Sequence, residues 1–150
     1  MVTADIVLSR LPAGSKKQAF HQIADAAAAL CDATADSIFD ALLMRERLGT
    51  TGIGGGVAIP HIRLDGIDKL YGVMAQLEAP VDFDAIDGQP VDIIFMLVAP
   101  AESKTTQHLK ALAQVSRFLK DAENCKNLRS AECRDSLTEF LLQKLGQSAA

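Results

Sequence analysis

An uninterrupted apolar run at residues 93–98, Ile-Ile-Phe-Met-Leu-Val, constrains the fold more than any other part of the sequence. A strand with one face in water alternates apolar and polar residues, whereas a strand that is covered on both faces is apolar throughout. Covering both faces of a sheet requires a layer of helices on each side. The run therefore predicts an α/β fold, in which a central β-sheet is flanked by helices in a three-layer arrangement.

Two helices are predicted in the first third of the chain. A capping box at residues 15–18, Ser-Lys-Lys-Gln, precedes an apolar stripe of helical spacing over residues 20–30. Asp36 is expected to cap the second helix, which should stop near Arg47 because Gly49 follows it where a left-handed residue is often needed. The side chains expected to face inward are Phe20, Ile23, Ala24, Ala27 and Leu30 from the first helix and Ile38, Phe39, Leu42 and Leu43 from the second.

The remaining pattern predicts a second strand and two more helices. Alternating apolar residues at 71–77 indicate an ordinary sheet strand, a third helix begins near residues 105–106, and a last helix begins at about Ser130. Residues 146–150 are expected to form a frayed tail. The third helix should turn inward Leu109, Leu112, Val115 and Leu119. Because helices and strands do not alternate regularly, the central β-sheet is expected to be mixed, within a single domain over residues 1–150.

A glycine-rich loop precedes the most reactive candidate residue. Five glycines lie between Gly49 and Gly56, and the loop runs into Val-Ala-Ile-Pro-His, a short strand that the proline is expected to end at His61. The glycines do not complete a G-x-G-x-x-G pattern and the chain has no Gly-Lys-Ser/Thr, so nucleotide binding is disfavoured. Such a loop would instead let backbone groups or a partner protein approach the imidazole closely.

Composition and charge exclude several classes of function. The 150 residues are 49% hydrophobic and carry a formal net charge of −4, which offers none of the phosphate attraction on which nucleic-acid binding depends. The N-terminus has no basic segment followed by an apolar one, and no stretch approaches the roughly 20 apolar residues of a membrane span. We therefore expect a cytoplasmic protein that neither binds nucleic acid nor inserts into a membrane.

The chemistry of His61 favours phosphotransfer, because one ring nitrogen can attack phosphorus while a hydrogen bond holds the other. A phosphorylated histidine needs positive charge and hydrogen-bond donors around its oxygens. Arg45 and Arg47 lie at the predicted end of the second helix and could supply the charge, while His108 in the first turn of the third helix could bond the phosphate or His61. Further candidate donors are the backbone amides of that first turn and of Gly54, Gly55 and Gly56.

Other polar residues are assigned less reactive roles. His21 lies inside the first helix, away from any loop, and is expected to be structural. Glu46 could pair with a neighbouring arginine or help to orient one, and Arg63 is expected to be a solvated loop charge. The three cysteines form no C-x-x-C pair, and His61 with His108 would give only two imidazole ligands, so no metal site is predicted.

Residues 45–61, Arg-Glu-Arg-Leu-Gly-Thr-Thr-Gly-Ile-Gly-Gly-Gly-Val-Ala-Ile-Pro-His, resemble the active-site signature of the mannitol/fructose/nitrogen class of enzyme IIA proteins in the phosphoenolpyruvate-dependent phosphotransferase system. Further similarity lies in residues 83–92, 97–100 and 106–112, so the resemblance covers nearly the whole chain. The sequence Ser-Lys-Lys at residues 15–17 is more similar to the stand-alone nitrogen-regulatory branch than to a sugar permease component, and we expect no fused transport domain.

The resemblance implies a phosphotransferase that acts as a phosphocarrier. A carrier of the HPr type would phosphorylate His61, with Arg45 and His108 as its neighbours; a role for Arg47 and a cofactor are not implied. In the nitrogen-type branch, the phosphorylation state is a signal for regulatory target proteins in nitrogen, potassium or carbon regulation, such as sensor kinases or potassium transport components. One departure is the Ile-Arg pair directly after His61, where many relatives have a glycine or another small or polar residue.

Two alternatives stay open. A sugar-specific enzyme IIA would use the same histidine and pass the phosphoryl group to a fructose- or mannitol-type permease. A non-catalytic interaction module would keep His61 for structure and dock a partner at the apolar strand-end surface. The sequence also leaves open which imidazole nitrogen of His61 is phosphorylated and whether the chain forms a homodimer.

Overall fold

A computed structural model describes residues 3–102 and 105–148 of the chain. The strands within these ranges are β1 (Ile6–Leu11), β2 (Gly52–Gly54), β3 (Val57–Ala58), β4 (His61–Leu64), β5 (Tyr71–Val81) and β6 (Val91–Pro100). The helices are α1 (Lys16–Ala28), α2 (Ala35–Arg47), α3 (Thr105–Lys120), α4 (Ala122–Ser130) and α5 (Arg134–Ser148). All of the strands belong to one sheet.

The centre of the sheet is β6, which contains the apolar run at residues 93–98. One edge of β6 pairs antiparallel with β5, and the other edge pairs in parallel with β3 and then with β4. The sheet continues beyond β5 with β1 in parallel and beyond β3 with β2 antiparallel. Every residue from Ile93 to Ala99 is buried, and the prediction of a mixed central sheet is confirmed.

Helices cover both faces of this sheet and divide the core into two parts. The helices α1 and α2 pack on one face, where they meet Ile94, Met96 and Val98 of β6. The helices α3, α4 and α5 pack on the other face, where they meet Ile93, Phe95 and Leu97. Because successive residues of a strand point to opposite faces, a continuous apolar run supplies both cores. The three-layer α/β fold is therefore confirmed.

Three details of the N-terminal half differ from the sequence predictions. The strand β1 was not predicted, because it is short and irregular: its register shifts after Leu8, and Arg10 has a positive φ of 47°. The cap of α2 is Thr34 and not Asp36, since the Thr34 side chain accepts a hydrogen bond from the amide of Ser37 at 3.1 Å. The first helix ends at Ala28, before Leu30.

The C-terminal helices also differ from the prediction. Leu109 is 56% exposed rather than inward-facing. The polar segment before the last helix forms α4, capped by Asp121, and the last helix begins at Arg134 rather than near Ser130. This helix continues through Ser148, so the predicted tail begins too early, and residues 149–150 lie outside the described part of the chain.

Candidate functional site

His61 is the first residue of β4 and does not end a strand as predicted. Ile59 and Pro60 separate β3 from β4, and both strands run parallel to β6. Pro60 has no amide hydrogen, but its carbonyl accepts a hydrogen bond from the amide of Leu97 at 2.9 Å, so the chain stays on the edge of β6 through the interruption. His61 is thereby held in register beside Leu97, with its side chain partly buried.

The two nitrogens of the His61 ring have different partners. Nδ1 lies 3.0 Å from the carbonyl oxygen of Ile59. A carbonyl oxygen can only accept, so Nδ1 carries the ring hydrogen and Nε2 has the free lone pair. The Nε–H group of Arg45 points at Nε2 over a long distance of 3.4 Å. The ring is therefore held in one tautomer, with its nucleophilic nitrogen facing a guanidinium group.

Arg45 reaches this position from the last turn of α2. Its Nη1 donates to the carbonyl oxygen of Gly49 at 3.0 Å, just beyond the helix end. A cation is favourable there because the free carbonyl groups at the end of a helix carry partial negative charge. The guanidinium is thus anchored on one side, and its Nε–H remains directed at His61.

His108 closes the other side of the site from the first turns of α3. Its ring centroid lies 5.6 Å from that of His61, with the two ring planes tilted by 53°. The residue is only 6% exposed, and its Nδ1 is buried without a hydrogen-bond partner in the described part of the chain. Buried polar groups are nearly always paired, and the exceptions are concentrated where a ligand or a catalytic step uses the group.

Both histidines have a lowered pKa. Burial is the main cause of the lower pKa of His61; its bond to the Ile59 carbonyl opposes the shift, and the charge of Arg45 adds to it. Burial also lowers the pKa of His108, and the charges of His61 and Arg63 lower it further. Both rings are therefore neutral near pH 7, which leaves the lone pair on Nε2 of His61 available for attack on an electrophile.

Arg47 is not brought into this site. Its side chain is exposed at the end of α2 and makes no hydrogen bond or ion pair with residues 3–102 or 105–148. It lies two residues beyond Arg45, and positions two apart on a helix point in different directions. The guanidinium that faces His61 is that of Arg45 alone among the described arginines.

The turn at Gly54, Gly55 and Gly56 is also distant from His61. Gly56 bonds to β6 at Asp92, whereas His61 lies opposite Leu97. At the rise of a β-strand, this separation along β6 is about 16 Å. The amides of this turn therefore do not face the imidazole, although the sequence suggested them as donors.

Three residues that sequence reasoning did not assign to the loop hold this glycine turn. Asp87 accepts a hydrogen bond from the amide of Gly55 at 2.9 Å. Arg129 donates from Nη2 to the carbonyl oxygen of Gly55 at 2.6 Å, and its Nε forms an ion pair with Asp92 at 2.9 Å. The turn is thus closed by a carboxylate on one side and by a guanidinium on the other.

Two further polar residues near the site differ from their predicted roles. The Glu46 carboxylate forms no hydrogen bond or ion pair with an arginine in the ranges that the structure covers; it accepts hydrogen bonds from Lys16 and Thr51. Arg63 was predicted as a loop charge, but it lies on β4 and its charge acts on His108. Neither role has a local sequence signal, since each depends on which elements pack together.

Other kinds of site are not found in the part of the chain that the structure describes. Residues 3–102 and 105–148 contain no group of three or more His, Cys, Asp or Glu side chains that could hold a metal ion. No helix in these ranges is long and apolar enough to cross a membrane.

Comparison with known proteins places the chain among phosphotransferase-system proteins. It is 45% identical over 141 residues to a nitrogen regulatory protein of Bradyrhizobium diazoefficiens, covering 94% of this chain and 92% of that one. It is 43% identical over 136 residues to a nitrogen regulatory protein of Pseudomonas aeruginosa, covering 90% and 88%. The crystal structure of the nitrogen regulatory protein IIA-Ntr from Neisseria meningitidis superimposes with a TM-score of 0.83 at 34% identity, covering 91% of this chain and 92% of that one.

The family model for the EIIA 2 proteins of the phosphoenolpyruvate-dependent sugar phosphotransferase system matches residues 1–144, nearly the full length of the sequence. With this match and the similarity to relatives over most of their length, the chain belongs to the EIIA 2 family of the phosphotransferase system.

Proposed function

We propose that this protein is a cytoplasmic phosphocarrier that accepts a phosphoryl group from an HPr-type carrier onto Nε2 of His61. The observation that carries the proposal is the fixed tautomer of His61, in which Nδ1 is bonded to the Ile59 carbonyl and Nε2 faces Arg45. The nitrogen with the lone pair is the one that points toward a phosphate-binding group.

The proposed transfer forms one phosphorus–nitrogen bond and breaks another. The lone pair of His61 Nε2 attacks the phosphorus of the phosphorylated carrier, and the carrier's imidazole leaves with the electron pair of the broken bond. The His61 ring then carries a positive charge, which its Nδ1–H bond to the Ile59 carbonyl stabilises. No proton has to be removed from His61 before attack, because Nε2 is already unprotonated.

Arg45 and His108 are proposed to bind the oxygens of the transferred group. Arg45 lies 3.4 Å from Nε2, so a small shift brings its guanidinium from the ring to the phosphoryl oxygens. The buried Nδ1 of His108 has hydrogen-bonding capacity that no described residue uses. The negative charge of the phosphoryl group would raise the pKa of His108 and favour its protonated, donating form.

Exposed apolar side chains around the site support a protein as the phosphoryl donor. Met44 precedes Arg45 on α2 and is 65% exposed, and Leu48 directly after the end of this helix is 85% exposed. Leu109, next to His108 in the sequence, is 56% exposed. Large apolar side chains concentrated beside a reactive group are typical of a surface that contacts another protein.

Intact-mass measurement tests the carrier function. The protein is incubated with phosphoenolpyruvate, enzyme I and an HPr-type carrier, beside the variants His61→Ala and His108→Ala. We expect an acid-labile gain of one phosphoryl group, about 80 daltons, which His61→Ala abolishes. Stoichiometric labelling of His61→Ala would refute the proposal, and no labelling of the wild type would favour a pure interaction module.

We further propose that the phosphorylation state is a signal to regulatory target proteins, because the relatives at 43% and 45% identity are nitrogen regulatory proteins. Phosphorylation adds a charge of about −1.5 to −2 near neutral pH, which is large enough to make or break an interface. Targets should therefore bind the two forms with different affinity. Loss of the phosphoryl group to fructose or mannitol in the presence of permease-containing membranes would instead favour a sugar-specific enzyme IIA.

A further inference from the structure

Glu46 follows Arg45 on α2 and has a side chain that is only 7% exposed. Its Oε2 accepts a hydrogen bond from Lys16 Nζ at 2.7 Å. Its Oε1 accepts from the amide of Thr51 at 2.8 Å and from the Thr51 hydroxyl group. A buried carboxylate is tolerated only when it is paired and hydrogen-bonded, and both oxygens of Glu46 meet this condition.

Two hydrogen bonds, one between backbone groups and one from the imidazole to the backbone, connect Thr51 to the His61 ring. The amide of Ile59 donates to the carbonyl oxygen of Thr51 at 3.0 Å. The carbonyl oxygen of Ile59 in turn accepts the Nδ1–H group of His61 at 3.0 Å. The carboxylate that fixes Thr51 therefore also fixes the residue whose carbonyl determines the tautomer of His61.

We propose that Glu46 is a positioning residue for phosphoryl transfer, which holds Thr51 and thereby places the Ile59 carbonyl against Nδ1 of His61. This inference rests on the proposed function, because the tautomer matters for transfer only if Nε2 is the nucleophile. Arg45 and Glu46 are adjacent residues at one helix end, and they act on opposite sides of the same ring. Arg45 reaches Nε2 directly, whereas Glu46 acts on Nδ1 through the backbone.

Lys16 has a secondary part in this arrangement. It is the first residue of α1, and its ammonium group contacts Glu46 at 2.7 Å, Asp84 at 3.6 Å and the face of the Phe83 ring at 5.3 Å. Lys16 balances the charge of Glu46 but forms no hydrogen bond with Thr51. Its loss should therefore affect His61 less than the loss of the carboxylate.

The tautomer of His61 can be measured without any phosphoryl transfer. Nitrogen-15 NMR of histidine-labelled protein distinguishes a protonated ring nitrogen from an unprotonated one, and it is recorded near pH 7.5 for the wild type and the variants. We expect the wild type to show protonated Nδ1 and unprotonated Nε2. In Glu46→Ala, the population with the proton on Nε2 should rise, because the Ile59 carbonyl is no longer held.

The rate of phosphorylation by the HPr-type carrier is the second measurement. Glu46→Ala should be slower by about 10-fold to 100-fold, by analogy with the loss seen when a group that orients a metal-binding histidine is removed. Glu46→Gln keeps an acceptor for Thr51 and should recover most of the rate and the wild-type tautomer, while Lys16→Met should fall between them. If Glu46→Ala does not fold, Glu46→Gln and Thr51→Val provide the comparison, with Thr51→Val expected to shift the tautomer.

Asp87→Ala is the matched control, since Asp87 is also a carboxylate that accepts backbone hydrogen bonds, from Gly55 and Gln89. It should leave the His61 tautomer and the phosphorylation rate unchanged. A folded Glu46→Ala variant with the wild-type tautomer and rate would overturn the positioning role. A wild type that keeps the expected tautomer but is never phosphorylated would refute the proposed function, while the tautomer of Glu46→Ala would still decide whether Glu46 orients His61.

Discussion

The two ends of the short segment at residues 54–61 differ in how completely the polar groups around them are hydrogen-bonded. At the glycine turn, the amide and the carbonyl of Gly55 are both hydrogen-bonded, and Arg129 is paired with Asp92. At the other end, Nε2 of His61 has only a long contact to Arg45, and Nδ1 of His108 has no partner in the described residues. An arginine lies beside each end. Arg129 is paired with Gly55 and Asp92 at the glycine turn, whereas the contact of Arg45 with the ring of His61 is long.

This difference separates a structural role from a chemical one. Closed hydrogen bonds rigidify a turn and leave little capacity for a ligand. A buried hydrogen-bonding group without a partner destabilises the folded protein, so such a group is expected where a ligand binds to it. Glycines close to a histidine in sequence thus do not by themselves indicate a phosphate-binding loop.

Replacing each of the two arginines by methionine, one at a time, should give the largest difference between the two ends. Arg45→Met is expected to slow phosphorylation about 100-fold to 1000-fold, the usual loss when one group that stabilises transition-state charge is removed. Arg129→Met should leave the rate within about twofold but lower the free energy of unfolding by roughly 1 to 2 kcal/mol, because it removes a bond to Gly55 and a partly exposed ion pair. Single-turnover labelling and urea unfolding measure the two effects, and a slow Arg129→Met variant would contradict the assignment.

Alanine substitutions in the glycine turn test whether this end of the segment contributes to the stability of the fold. Gly56 has a φ of +80°, and an added Cβ would lie 2.5 Å from Arg129 Nη2 and 3.0 Å from Asp92 Oδ1. Gly56→Ala should therefore disturb the ion pair as well as the backbone, and cost roughly 2 to 4 kcal/mol in the free energy of unfolding.

Gly55→Ala is the control for this substitution. Gly55 also has a positive φ, +66°, but an added Cβ would meet no atom within 4 Å. Only the backbone strain remains, and about 1 kcal/mol is expected. Equal losses for the two variants in urea unfolding would show that the contact with Arg129 does not matter.

The parts of the fold that were predictable are those with a strong local pattern. The strand β6 is long and apolar throughout, and α1 and α2 carry apolar stripes. In contrast, β1 is irregular at Arg10, and α4 has only two buried side chains, Cys125 and Leu128. Such elements are stabilised by packing against the rest of the domain, and the local pattern of a single sequence does not show that packing.

The same distinction applies to the candidate site. Arg45 and His61 are 16 residues apart and joined by a compact loop, so a local motif can bring them together. At the glycine turn, by contrast, Arg129 bonds to Gly55 across 74 residues and to Asp92 across 37, and no local pattern indicates those partners. The tautomer of His61 also depends on tertiary structure, because it is set by the break between β3 and β4 that turns the Ile59 carbonyl toward Nδ1.

The smallest expected effect is the pH dependence of the free energy of unfolding that His61 and His108 produce. An exposed histidine has a pKa of about 6.5, and the pKa values of His61 and His108 lie below this value in the folded protein. Below about pH 6.5 the unfolded chain binds protons that the folded chain excludes, so stability falls as the pH decreases toward the folded pKa values. Each histidine contributes at most about 1.4 kcal/mol per pH unit, and both contributions vanish above that range.

Urea unfolding of the wild type and of one histidine variant at pH 7.5 and pH 5.5 tests this expectation. His108→Gln removes one buried imidazole and should reduce the difference in unfolding free energy between the two pH values. The burial of His61 and the charge of Arg45 remain in this variant, so His61 should still contribute a loss of stability at low pH. If His108→Gln retained the full wild-type difference, the buried His108 ring would not be excluded from protonation, and the site would be less closed to water than its 6% exposure indicates.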